Sequence, residues 1–598
     1  MKSHQPLAMS TTLASSDKQK GNSHNIRPVL LFWLTLAVLA IPNIALCITE
    51  RMTLMAALTN VLLPVAVVWL LMTLSRRPGK TTWLLFPLIF LAAFQLVLLY
   101  LFGHSIIAVD MFLNIVTTNP GEAFELLDNL LPAIAIVATL YFPPLIIAVI
   151  SLRKKDLLSS TFIMRQRRLA FFAVAAGTAS LGISYATNRE YSAKIQLYPF
   201  NVGYNLVLAV ERSKATVNYA ETSAAFKFNS KATHPDNCRE VYVMVIGETA
   251  RACNFSLYGY GRKTTPLLEH TQGLVAFTNV LTQSNTTHKS VPMLMSAASA
   301  GEYDRIYQEK GIITAFKEAG FHTVFISNQR PNHSFIDFFG KEADEWVFIK
   351  ENIDGKANVP DSDMLPMLKN ILAKRRKKEL IVLHTYGSHF NYRERYTASN
   401  AVFKPDDASE AKLSNRASLV NAYDNSIRST DSFLHDVITL LDQSHATAAM
   451  IYTSDHGENI FDDKRKLFLH ASPVPSYYEL HVPFIIWTSE PYRHTFAQEV
   501  ATLLANQHKS VSNSESTFHT MLGLAGIATP YRNDSLSLAS QNFTPTDRIY
   551  LNDHNKAVPV DKILRAKEDF ILIEKINTDL PRDVKKTSQK QHPHNFTF

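Results

Sequence analysis

Hydrophobic and polar positions divide the chain into two regimes that meet near residue 187. Before that border run five apolar stretches, at 28–48, 53–74, 81–102, 129–152 and 169–186. Each is about 18–24 residues long, enough for a helix to cross a bilayer. Beyond the border, short apolar runs alternate with helical patterns. Strands are predicted at 241–246, 275–280, 322–326, 380–384, 448–453 and 482–487. Helices are predicted at 311–319, 363–373 and 413–441, the last with Leu419, Ala422, Ile427, Phe433, Leu434, Ile438 and Leu441 on its apolar side. Alternation of this kind implies a mostly parallel sheet with helices on both faces. Residues 187–236 show no strong period until Phe200-Asn-Val-Gly-Tyr204 and read as a linker with amphipathic helices.

Charge sets the orientation of the apolar region. Lys2, Lys18, Lys20 and Arg27 precede the first stretch, and Arg76, Arg77 and Lys80 follow the second. Arg153, Lys154, Lys155, Arg165, Arg167 and Arg168 lie between the fourth and fifth, whereas the other two loops carry only Arg51. By the positive-inside rule the amino-terminal tail is cytoplasmic, and five crossings place everything after about residue 187 outside. In a bacterium this is a multi-pass inner-membrane protein with a periplasmic domain. The first stretch is too long for a cleaved signal peptide and lacks a small-x-small site, so it reads as a retained anchor. The formal net charge of +8 therefore reflects topology, and no nucleic-acid partner is expected. The expected divisions are a tail at 1–27, a five-helix membrane domain at 28–186, the linker at 187–236, a catalytic domain at 237–584 and a polar tail at 585–598.

Candidate chemistry sits at predicted strand ends. Asp455-His456, within Tyr452-Thr-Ser-Asp-His-Gly-Glu458, follows one strand, and Gly247-Glu248-Thr249 follows another. The carboxyl ends of parallel strands are where α/β sheets bind ligands, and carboxylate with imidazole suits zinc. The hydroxyl-rich Thr282-Gln-Ser-Asn-Thr-Thr-His-Lys-Ser-Val-Pro292 leads into a helix whose N–H groups favour a phosphate. Thr287 is the candidate nucleophile, with Thr286 as its rival. A zinc ion would make such a hydroxyl reactive near neutral pH. The same positions also suit a helix cap at Thr287 and a plain turn at Asp455. His389, in Leu383-His384-Thr-Tyr-Gly-Ser-His389, and His470, in Leu469-His470, suit phosphate binding, protonation of a leaving group or a second metal. Asn328-Gln329 either binds substrate or closes a turn. Of three cysteines, Cys238 and Cys253 flank the 241–246 strand, and a disulfide or two thiols fit equally.

These motifs come together with Gly247-Glu-Thr-Ala-Arg251, Leu257-Tyr-Gly-Tyr260, Thr264-Thr-Pro266, Ser290-Val-Pro292 and Ser454-Asp-His-Gly-Glu458. In order and spacing the set resembles the bacterial phosphoethanolamine transferases, membrane-anchored members of the alkaline phosphatase/sulfatase superfamily. The resemblance implies an α/β class in which a five-helix transmembrane anchor precedes a sulfatase-like α/β/α domain. It implies that Glu248, Thr287, Asp455 and His456 hold a catalytic zinc, with Thr287 as nucleophile. His389 and His470 would line the phosphate site or hold a second zinc. Asn114, Thr118 and Glu122, four apart and so on one helical face, would look toward the lipid headgroup. Lys289 and Asn328 would also contact substrate. The implied partners are phosphatidylethanolamine as donor and an envelope glycan as acceptor (lipopolysaccharide core, lipid A or periplasmic glucan), for a monomer in the membrane. Many lipid A-modifying members have a Cys-Gly-Thr-x-Thr-Ala run here, whereas this chain has Gln283-Ser-Asn-Thr-Thr-His288. Alternatives are a phosphoglycerol transferase, a sulfatase or a non-catalytic membrane scaffold. The sulfatase lacks its Cys-x-Pro-x-Arg run in this sequence.

Overall fold

The computed structural model describes residues 26–103, 105–117, 131–236, 238–351, 359–408 and 410–578. Among the described residues, the amino-terminal part up to 187 contains α1 (Ile26–Thr49), α2 (Leu54–Met72), α3 (Pro78–Leu84), α4 (Phe86–Phe102), α5 (Val109–Thr117), α6 (Leu131–Arg153) and α7 (Ser160–Thr187). Among the described residues, α1, α2, α6 and α7 are each long and apolar enough to span a membrane. The pair α3–α4 makes a fifth candidate if counted as one span.

Two expectations needed adjustment. The third stretch is not one straight helix, since α3 and α4 meet at a 58° bend. Pro87 in the first turn of α4 supplies no N–H to continue the ladder, which breaks the helix there. The fifth helix begins at Ser160 rather than near 169, so Arg165, Arg167 and Arg168 are helical. Ser159 caps it by accepting from the Phe162 amide at 3.2 Å. Packing between α2 and α7 depends on small and hydroxyl residues. A Cβ at Gly177 would stand 2.8 Å from Leu63 Cα, and Thr59 bonds Ser180 and Ser184 at 3.0 Å each. Such close approach is how apolar helices associate without a hydrophobic driving force between them.

The linker contains α8 (Phe200–Val217), which lies against α5 and the following domain: Asn205 Nδ2 donates to the Ile107 carbonyl at 2.8 Å, and its Oδ1 meets His554 Nε2 at 3.1 Å. The domain beyond is built on β1 (Glu240–Gly247), β2 (Leu274–Phe277), β3 (His322–Ser327), β4 (Glu345–Phe348), β5 (Lys378–His384), β6 (Thr447–Ser454) and β7 (Phe484–Thr488). They form one sheet in the order β2-β7-β6-β1-β5-β3-β4. The run from β6 to β4 is parallel, whereas β7 is antiparallel to both its neighbours.

Strand β1 is central and buried throughout. Val241, Val243 and Val245 face a layer that contains α13 (Arg416–Gln443), while Tyr242, Met244 and Ile246 face α9 (Thr287–Leu294), α10 (Ile312–Glu318), α11 (Phe335–Gly340) and α14 (Asn513–Leu524). Leu365–Ala373 forms α12 on the α13 side. Each of these side chains gains about 1.5–3 kcal/mol from burial, against about 0.5–1.5 kcal/mol net for a ladder hydrogen bond. The apolar fit on two faces therefore fixes the register of β1. The predicted 275–280 strand is divided: the chain leaves the sheet after Phe277, and Val280–Leu281 pairs with Val511–Ser512. The edge strand β4 has no counterpart in the hydrophobic pattern, since Trp346 and Val347 are both exposed and the strand does not alternate.

Cys47, Cys238 and Cys253 are all free. Thiol titration in denaturant is expected to find three per chain, and reductant to leave the melting temperature unmoved; two fewer thiols would contradict this structure.

Candidate metal and nucleophile site

The central parallel pairing sets Gly247 opposite Ser454 in register. The next residues along each strand, Glu248 and Asp455-His456, therefore leave the sheet side by side. Their ligand-type atoms all lie within 4.8 Å of one another, and all three residues are buried. His456 Nε2 stands 3.6 Å from Glu248 Oε1 and 3.2 Å from Asp455 Oδ2. Its Nδ1 is held by the Gly457 carbonyl at 2.9 Å, which aims Nε2 into the cluster. Asp455 Oδ1 accepts from the Thr249 and His456 amides at 3.1 and 2.7 Å. Its Oδ2 is buried and accepts no hydrogen bond.

Thr287 completes the group. It is the first residue of α9, and Thr286 holds the cap position in extended conformation. Thr287 Oγ1 lies 3.1 Å from His456 Nε2 and 3.4 and 3.3 Å from the two Glu248 oxygens. The Thr286 hydroxyl instead pairs with Ser284 Oγ at 3.1 Å. Helix α9 is anchored behind Thr287 by Val291, Met293 and Leu294, which are fully buried.

This donor set suits a divalent cation. Two carboxylates close together repel one another, a buried carboxylate oxygen without a donor is costly, and a cation relieves both. One imidazole nitrogen with carboxylate and hydroxyl oxygens, four groups in all, is a set zinc accepts. Burial opposes the imidazolium of His456, but the Asp455 and Glu248 carboxylates outweigh it and hold its pKa above the ordinary value. A bound cation would take over that role.

The remaining expected residues fall in three groups. His389 and His470 line the same mouth, with ring centroids 6.1 Å apart, and the His470 ring is 4.1 Å from that of His456. Burial pushes both pKa values down to about 3, so both are neutral. His470 Nδ1 meets Glu458 Oε1 at 3.1 Å, and the other Glu458 oxygen accepts from the Tyr392 hydroxyl at 2.5 Å. Burial raises the Glu458 pKa to about 8, so this carboxyl carries a proton near neutrality.

Lys289 and Asn328 do not reach the cluster. Helix positions 287 and 289 lie about 200° apart, so Lys289 projects away from Thr287. It is buried and paired with Asp110 at 2.5 Å. Asn328 bonds the Val359 carbonyl and Asp361 at 2.9 and 2.8 Å. Its neighbour Gln329, in the turn that follows β3, instead reaches Glu248 Oε2 at 3.2 Å and the Thr385 carbonyl at 2.9 Å. Asn114 falls within α5. Thr118 and Glu122 lie outside the described residues.

Sequence reading gave no role to Asp361, which accepts from the Tyr386 and Gly387 amides at 2.8 and 3.0 Å and so braces the His389 loop. Only its place just before a helix hinted at it. Gly387 has φ +49°, and a Cβ there would stand 2.5 Å from the Glu248 carbonyl oxygen.

Residues 240–527 match the Sulfatase family. The putative transferase YhbX of Escherichia coli K12 is 32% identical over 295 residues, 48% of this chain and 50% of that protein. The carboxy-terminal periplasmic domain of EptC from Escherichia coli, solved in complex with Zn, is 25% identical at a TM-score of 0.51, covering 57% of this chain and 97% of that one. The integral membrane lipooligosaccharide phosphoethanolamine transferase A of Neisseria meningitidis covers 85% of this chain and 98% of its own at a TM-score of 0.67. At 22% identity it establishes a shared fold that extends through the anchor. Other relatives, from Escherichia coli and Salmonella typhimurium, bear the name phosphoethanolamine transferase. The chain spans about half the length of the curated relatives it matches.

Two outcomes are expected. Asp455→Asn, Glu248→Gln and His456→Ala should each weaken zinc binding by about 100-fold or more, since even outer partners are worth about 10–100-fold. Isothermal titration of the full protein reads this, and unchanged affinity in all three would exclude the site. Gly387→Ala should cost about 2 kcal/mol or more of stability from left-handed strain and the Glu248 contact; a thermal melt indistinguishable from wild type would show that the loop yields freely.

Proposed function

Because the chain carries a sulfatase-family domain and is related to the phosphoethanolamine transferases, we propose that it is a zinc-dependent phosphoethanolamine transferase of the bacterial inner membrane with its catalytic domain in the periplasm. The reading rests on one observation above the rest: a half-buried threonine hydroxyl at a helix amino terminus lies within 3.4 Å of both a buried imidazole and a buried carboxylate. A name shared with relatives would not by itself require that arrangement.

Glu248, Asp455, His456 and Thr287 would hold the zinc, which when bound would lower the threonine pKa and neutralise charge on the phosphoryl oxygens. Thr287 Oγ attacks phosphorus of phosphatidylethanolamine, forming one P–O bond as the bond to diacylglycerol breaks. The hydroxyl proton moves toward Glu248, whose oxygens already lie at hydrogen-bond distance. The amino terminus of α9 presents unpaired N–H groups to the phosphoryl oxygens. Diacylglycerol leaves as an alkoxide and takes a proton at the His470 side of the site. There protonated Glu458 backs the imidazole, so that Glu458 replenishes what His470 gives. Phosphoethanolamine is then held on Thr287 until a hydroxyl or phosphate of an envelope glycan attacks the same phosphorus and frees the threonine. A donor and a first product that are both lipids give the anchor its purpose, because tethering raises their effective concentration at the site.

Full-length protein in bilayers with headgroup-labelled phosphatidylethanolamine is expected to carry the label on the peptide containing Thr287. Thr287→Ala should lose the adduct and lower transfer by at least about 1000-fold, a loss of the order seen when a nucleophile is removed. Adduct formation by Thr287→Ala, or transfer of a glycerol headgroup in preference to ethanolamine, would reject the assignment.

A further inference from the structure

The helix that carries Thr287 is tied to the membrane anchor by a buried charge. Lys289 Nζ, 2% exposed, donates to Asp110 Oδ2 of α5 at 2.5 Å and to the Asn552 carbonyl at 3.0 Å. On the same carboxylate, Oδ1 lies 3.4 Å from His288 Nε2 and 3.6 Å from Arg212 of α8. The catalytic domain grips α5 a second time. Both oxygens of Asp553 accept from the first amides of α5, Val109 at 2.8 Å and Asp110 at 2.9 Å, and Arg212 donates to the Asp553 carbonyl at 2.8 Å. A further pair, Glu50 with Arg565 at 3.0 Å, joins the outer end of α1 to the carboxy-terminal part of the domain. None of these groups touches the metal cluster.

We infer that the Asp110–Lys289 pair is a positioning contact that holds the Thr287 helix at a set height and orientation over the membrane, so that it governs turnover of donors embedded in the bilayer and leaves the chemistry of the cluster itself intact. Three observations carry this. The pair joins the anchor to the nucleophile's own helix, two residues from the nucleophile. The hydrophobic seat of α9, from Val291 to Leu294, lies wholly within the catalytic domain, so Thr287 keeps its place against Glu248 and His456 without the anchor. The pair is also buried between α5 and the domain, where losing one partner strands a charge and opens the contact. Asp110 and Lys289 are therefore positioning residues. The inference rests on the proposed lipid donor, and its test separates the two.

The test uses full-length protein in phosphatidylethanolamine-containing nanodiscs, with Asp110→Asn and, to remove the stranded charge, the double variant Asp110→Asn/Lys289→Gln. Each is measured on the bilayer donor, on a water-soluble nitrophenyl phosphodiester bearing the same headgroup, and by hydrogen exchange across residues 107–113. Asp110→Asn is expected to lose protection in that segment and about 30-fold in turnover of the bilayer donor, while hydrolysis of the soluble ester stays within about threefold. The double variant should recover part of both losses. Equal losses on both substrates, or unchanged exchange at 107–113, would overturn the inference. Should wild-type protein transfer nothing from the lipid, the proposed function fails, and the exchange measurement still decides whether the pair fastens the two halves.

Discussion

Everything at the site follows from the parallel pairing of β1 with β6. Because Gly247 sits opposite Ser454, the two chains turn out of the sheet together, and Glu248, Asp455 and His456 converge with no loop of their own to position them. A slip of one residue would reverse every side chain on β1, exchanging its two buried faces. The packing of Val243 and Val245 on one side and Met244 and Ile246 on the other is thus what places the ligands. Asp455 Oδ2 is left without a donor by the same geometry. The fold accepts that cost in return for a position where a cation can sit.

Around this centre the supporting contacts are graded by distance. Gln329 and the Thr249 hydroxyl hold Glu248, at 3.2 and 2.7 Å. Asp361 ties down the backbone of the loop bearing His389, and the Tyr392 hydroxyl and His470 share Glu458. Further out, Asp553 and Lys289 fasten the sulfatase-like domain to α5. Strain is present in the inner ring, where Thr249 and Gly387 both have positive φ. Strain of this kind persists only where surroundings over-determine it.

Much of this was legible in the chain. Apolar runs longer than 18 residues betray crossing helices, and β1, β5 and β6 showed as apolar runs because both faces of a parallel strand are buried. The four residues of the cluster were legible because each lies within three residues of a strand end or at a helix start. What the pattern concealed has physical causes. The bend between α3 and α4 comes from one proline within an unbroken apolar run, and β4 is an exposed edge with no alternation to read. The direction of Lys289 depends on helix phase from Thr287, and that of Asn328 against Gln329 on the turn that follows β3. Neither is known until the element ends are known. Lysine beside a nucleophile suggests substrate, yet the charge answers an aspartate in a helix 179 positions away.

The account stands on the cluster being a metal centre, and anomalous diffraction at the zinc edge tests that most directly. Crystals of the full-length protein soaked in zinc should show a strong peak about 2.0–2.2 Å from Glu248, Asp455, His456 and the Thr287 hydroxyl together. A protein that crystallises with zinc bound elsewhere and these four groups unligated would contradict it.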